Sequence, residues 1–174
     1  MQPLLPIEVN EETGVWTTDG LPMIYVPRHF FVNNHSAVAD ALGADRYAEI
    51  LYPAGYKSAY FWCDKEAKTH GISGLAVFEH YLKRLSQRGW GQFSIDVLDI
   101  AGRRGSISLK NSIFALEAGQ QRGQRVCYMF EGFITGAFAF LLGLADPTAV
   151  ECEETYCACD GRHDHCRFDF AAMP

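Results

Sequence analysis

Hydrophobic and polar positions change period several times along the chain, and each change marks an element. Phe93, Ile95 and Val97 alternate with Ser94, Asp96 and Leu98, and the segment 106–112 returns with Ile107 and Leu109 on one side. The glycine-bounded segment 101–105 lies between them, so the two runs predict a β-hairpin. Cys166, Phe168 and Phe170 alternate with Arg167 and Asp169, which predicts a half-buried strand. Before it lies an apolar run, Val126 to Gly143, with Glu131 as its one charge. Hydropathy alone makes this run a candidate membrane span. The internal glutamate, the short length and the amphipathic remainder of the chain predict instead a helix buried in a soluble core. Gly132, Gly136 and Gly143 predict close backbone approach to a neighbour.

The first half reads as helices. Residues 1–20 are polar and broken by Pro3, Pro6, Gly14 and Gly20, which predicts an irregular N-terminal arm ahead of a single domain over 21–174. Met23 to Val26 favour a short strand ended by Pro27. Asn34 or Ser36 is placed to cap a helix with a weak point at Gly43, stopped by Pro53 and Gly55. A long helix follows, kinked or divided at Gly71 and Gly74 and ended by Gly89, and 114–125 reads as a polar loop or short helix. Core packing explains most of the aromatics on the long helix. Some are also candidates to line an apolar pocket: Tyr56, Tyr60, Trp62, Phe78, His80 and Tyr81. Tyr56 and Tyr60 share a helix face, and Trp62 lies about 160° round from Tyr60, so only a subset can face one cavity.

With 174 residues, 48% of them hydrophobic and 13% aromatic, the chain holds one domain with a real core. A net charge of −6 without a basic patch argues against nucleic acid as a partner. The N-terminus lacks the basic and apolar regions of a secretory signal, so a cytoplasmic location is expected. There, clustered cysteines favour metal over disulfides.

Such a cluster is present. Cys152, Cys157, Cys159 and Cys166 fall within Val150 to Phe170, with Gly161 where the chain would reverse. The stretch reads as strand, knuckle, strand, and thiolates with a carboxylate suit zinc. Either Cys157 or Cys159 sits at a workable distance from Cys166. Cys152, Glu151, Glu153, His163 and His165 are weaker candidates. Cys63 stands apart and reads as a small apolar core residue. No nucleotide fingerprint or catalytic triad is found.

Val126-Cys127 opening a glycine-spaced apolar helix, Glu154-x-x-Cys157, Gly161, and Cys166 before an alternating strand together resemble the 4-vinyl reductase domain family. That family includes the zinc-containing sensor domains of phenol- and xylene-responsive activators. The extended run with a helix after it and Asn111-Ser112 at the hairpin's end are similar too. The resemblance implies an α+β fold of the nitric-oxide-signalling and TRAPP type, an antiparallel sheet packed against helices with a C-terminal zinc knuckle. It also implies zinc held by Cys127, Glu154, Cys157 and Cys166, a small apolar or aromatic ligand, and a homodimer. A zinc-stabilised, sensor-type binding domain is the function expected. A structural adaptor or an accessory subunit of a catabolic or biosynthetic enzyme system is the alternative, and a reductase a further one.

Overall fold

The computed structural model describes residues 5–118, 125–146 and 148–173. Three short strands, Glu8–Val9 (β1), Trp16–Thr18 (β2) and Leu21–Met23 (β3), pair antiparallel into a small sheet. An irregular arm is expected over much of this stretch. Strands of two or three residues are too short to show a period, but Asn10 marks their turn, its Oδ1 accepting the backbone N–H groups of Glu12 and Thr13.

Helix α1, Arg28–Leu42, begins directly after Pro27 and well before the predicted caps. Asn34 lies inside it and donates its side-chain amide to the Phe30 carbonyl. Gly43, at φ 84°, separates α1 from α2, Ala44–His70. Here the sequence reading needs correction, because α2 runs straight through Pro53 and Gly55. Tertiary packing overrides the local stop signals. A Cβ on Gly55 would lie 3.0 Å from the Phe133 ring and 3.3 Å from the Gly132 backbone, so this glycine serves a helix crossing. Gly71 and Gly74, both at positive φ, end α2 and open α3, Leu75–Gln87, as the sequence predicts.

Strands β4, Gln92–Asp99, and β5, Arg104–Lys110, form the predicted hairpin. Its alternation is broken by a bulge between Ile95 and Val97. Asp96 Oδ2 accepts the Ser108 hydroxyl at 2.6 Å, and Val97 turns outward to 56% exposure, although the sequence places it with Phe93 and Ile95. Short α4, Ile113–Ala118, leads toward α5, Met129–Leu142. Strand β6, Val150–Tyr156, a 3-10 turn, Ala158–Asp160, and β7, Cys166–Ala172, complete the fold. The main sheet has the order β4-β5-β7-β6, every pair antiparallel.

The apolar run is the central helix. α5 buries Phe130, Ile134 and Phe138, while Ile107, Leu109 and Phe168 are fully buried from the sheet side. Burying each such side chain contributes roughly 1.5–3 kcal/mol. On its other face α5 packs against α2, the most extensive helix contact in the fold. A Cβ on Gly132 would come 2.4 Å from the Tyr52 carbonyl oxygen, and one on Gly136 would come 2.3 Å from that of Tyr56. Gly143 does something else: at φ 69° it caps the helix in the left-handed region, with open space around it. Among the described residues no helix is long and apolar enough to cross a membrane.

Candidate functional site

The start of α5 and the β6–β7 connection bring three thiols and a carboxylate together. Ligand atoms of Cys127, Glu154, Cys157 and Cys166 all lie within 4.8 Å of one another, and all four residues are buried. Cys166 Sγ is 3.5 Å from Cys127 Sγ and 3.6 Å from Cys157 Sγ. Tetrahedral zinc with Zn–S bonds of about 2.3 Å sets its sulfurs roughly 3.8 Å apart, so this spacing fits a thiolate metal site. One oxygen of Glu154, Oε2, accepts the Cys127 backbone N–H at 2.9 Å. The other, Oε1, is buried without a protein partner, as an oxygen kept for a cation would be. Cys159 Sγ touches Cys157 Sγ at 3.1 Å but is not one of the four.

A spacing of three between Glu154 and Cys157 does not suit a plain strand, where positions three apart face opposite sides. A bulge resolves this. Glu154 pairs with Phe168 and Tyr156 with Arg167, which leaves Thr155 unpaired between them. The extra residue turns Cys157 onto the face that holds Glu154. Gly161 then takes φ 77° and lets the chain return to Cys166.

The titration pattern follows from burial. Desolvation, with the neighbouring Cys157 adding to it, lifts the Glu154 carboxyl to about 9. Hydrogen bonds from Cys127 and Cys166 hold the Cys157 thiol far below its ordinary value, and burial pushes Cys127 well above. A divalent ion bound by the four would favour the deprotonated form of each ligand.

The weaker candidates lie outside the close group of four. His163 stacks on Tyr156 at 4.0 Å, and its Nδ1 is 2.6 Å from Asp160 Oδ2. His165 Nε2 is 3.0 Å from the Tyr156 hydroxyl. Glu151 and Glu153 are exposed, with Glu153 bonded to Arg125, and Cys152 is half-buried on β6. Cys63 is fully buried, and desolvation raises its thiol far above the usual range.

The six aromatic pocket candidates fall into separate groups. Tyr56 stacks on Tyr60 at 5.9 Å and donates to the Leu144 carbonyl. Trp62 packs on Tyr81 and His80 at 5.0 and 5.5 Å, and Phe78 meets Phe138 and Phe170 in the core. A cavity of about 460 Å³ lies elsewhere, between α1, α4 and the approach to α5. His35, Phe114, Val126 and Tyr128 line it. His35 is 8% exposed and its Nδ1 has no partner, while its ring packs on Phe114, Tyr47 and Tyr128 at 4.4, 5.0 and 5.3 Å. Desolvation lowers its pKa to about 4, so at neutral pH the ring is uncharged and one nitrogen can accept a hydrogen bond. Sequence reading missed His35, because a lone histidine on an amphipathic helix carries no spacing signal.

Residues 1–96 match the family described as domain of unknown function DUF5943. The chain belongs to this family. The match ends within β4, so the thiol cluster lies beyond it. No curated protein matches the chain. Among solved structures, this DUF5943 member is similar to the phenol-responsive sensory domain of the transcription activator PoxR with phenol. The TM-score is 0.75 at 22% identity, over 95% of this chain and 84% of that one. It is also similar to trafficking protein particle complex subunit 3 from Naegleria fowleri, covalently bound to palmitic acid, with TM-score 0.61, 17% identity and 84% and 95% coverage. A vinyl-4-reductase family protein from Methanocaldococcus jannaschii gives TM-score 0.57 at 14% identity, over 87% and 85%. At these identities the likeness is one of fold.

Proposed function

We propose that this protein is a sensor-type domain that binds a small aromatic molecule in the His35 cavity and is held together by zinc at Cys127, Glu154, Cys157 and Cys166. The observation that carries the reading is the buried His35, unpartnered at Nδ1 and walled by Phe114 and Tyr128. A phenol-like molecule would stack on the rings and donate its hydroxyl to the imidazole. The PoxR domain with phenol, similar in fold, supports the ligand class, and a place near the 4-vinyl reductase family is part of the same reading. Val126 and Tyr128 line the cavity on either side of Cys127, so occupancy would be felt at the metal. The zinc has a structural role: four protein ligands close the site, and its chemistry there is to tie α5 to the β6–β7 connection.

Output would pass through a partner surface. Ile24, Tyr25, Val26 and Phe30 expose apolar side chains along one stretch, with Ile24 81% exposed, and a homodimer would cover them. Thermal-shift titration with phenols, short aromatic acids and tetrapyrroles tests the binding. A small phenol should raise Tm with concentration, and His35→Phe should abolish that shift while keeping the packing. No shift from any class would favour the adaptor reading.

A further inference from the structure

Far from the thiol cluster, a second group of ligand atoms converges where β2, α2 and α3 meet. Glu66 lies one helical turn before His70 on α2, so both project from one face. His80 reaches the same point from α3, and Asp19 from the turn after β2, where it holds a left-handed φ of 54°. The Nε2 atoms of both histidines meet one oxygen, Glu66 Oε2, at 3.1 Å from His70 and 2.8 Å from His80. Asp19 Oδ1 is 3.5 Å from His70 Nε2. The four ligand atoms all lie within 4.8 Å of one another.

These separations match the edges of a coordination shell. Metal bonds of about 2.1 Å at angles of roughly 90–110° place neighbouring donors about 3.0–3.4 Å apart. Two donors are buried yet incomplete. Glu66 is fully buried with Oε1 unpartnered, and the Asp19 side chain is 3% exposed with Oδ2 unpartnered. The surroundings fix the set. His80 stacks on Trp62, Asp19 Oδ1 accepts from Arg84 at 3.0 Å, and Arg88 lies over the Trp62 ring near both carboxylates. The histidines are part-exposed, His70 at 34% and His80 at 20% of their side chains, so solvent reaches the cluster from their side.

We propose that Asp19, Glu66, His70 and His80 form a second metal site, specific for a first-row divalent cation and reached by solvent from the side of the histidines. Two imidazoles with two carboxylates favour zinc, iron(II), cobalt or nickel over calcium and magnesium, and the absence of sulfur separates the site from the thiolate one. The proposal is independent of the zinc site at Cys127.

Cobalt(II) distinguishes the two sites in the full chain, freed of any affinity tag and made metal-free under reducing conditions. Thiolate coordination gives intense sulfur-to-cobalt charge-transfer absorption, whereas a nitrogen–oxygen site gives only weak ligand-field bands. Wild type should take up a cobalt equivalent that produces ligand-field bands with no rise in charge-transfer intensity. His70→Ala, at the most exposed donor, should weaken that equivalent roughly tenfold or more and leave the charge-transfer bands unchanged. Circular dichroism of the variant confirms the fold, and His80→Ala should repeat the effect. Failure of the thiolate site alone would remove the charge-transfer bands and leave this equivalent in place. The proposal is overturned if wild type binds no such equivalent, or if folded His70→Ala binds it as tightly as wild type.

Discussion

Glu131 Oε1 accepts the backbone N–H of Glu154 at 2.9 Å. This bond explains the one charge in the apolar helix: its carboxylate holds β6 against the start of α5 at the residue that faces the thiols. Burial raises the Glu131 pKa above the usual carboxylate range, and the bond to Glu154 opposes that rise. Glu131→Gln keeps an acceptor and should be mild. Glu131→Leu should cost about 1–3 kcal/mol through the stranded amide and loosen the metal site roughly tenfold. Chemical denaturation and metal competition measure the two effects.

Zinc content should respond to individual thiols. Purified protein should carry one thiolate-bound zinc per chain, released when cysteines are chemically modified. Cys127→Ser, Cys157→Ser and Cys166→Ser should each lose it and cost on the order of 3 kcal/mol or more. Cys159→Ser should do less, because Cys159 touches Cys157 from outside the close group of four. Elemental analysis beside thermal melts decides. Loss of zinc only on Cys159→Ser would move the ligand assignment.

Two glycines of α5 should respond differently to substitution. Gly136→Leu drives a side chain into the Tyr56 carbonyl and should cost roughly 1–3 kcal/mol or more, enough to unfold a marginal domain. Gly143→Ala meets no neighbour and should cost only the left-handed penalty, about 1 kcal/mol. Equal losses at both sites would contradict the close crossing.

His35 should shape the acid limb of stability. Its folded pKa of about 4 lies below the unfolded value near 6.5, with desolvation as the cause. Between these values the unfolded chain binds a proton that the folded chain does not. The contribution is therefore full above about pH 6.5 and is lost as pH falls toward 4. The wild-type-minus-variant difference in Tm for His35→Phe should narrow or reverse over that interval. A difference independent of pH would rule out a buried neutral imidazole.

Much of the fold was legible where the period was long. The hairpin, the apolar core helix and the β7 alternation all appear close to where the hydrophobic pattern places them. What escaped was set by contacts distant in sequence. Pro53 reads as a stop, and only packing against α5 carries α2 through it. The bulge at Asp96, which turns Val97 outward, leaves no mark in an alternating pattern. At the candidate site the four residues expected from the family resemblance do converge. Asp19, Glu66, His70 and His80 went unnoticed as a group, because their approach depends on a turn and two helices that spacing does not relate.

The main sheet has two outer strands, β4 and β6, and each is bent by an extra residue, at Asp96 and at Thr155. A foreign strand seeking a straight template would lose register partway along either one. The kink that turns Cys157 toward Glu154 therefore also guards against fibrillar self-association. Crowded copies of this protein should therefore not grow by adding strands to the outer edges of this sheet.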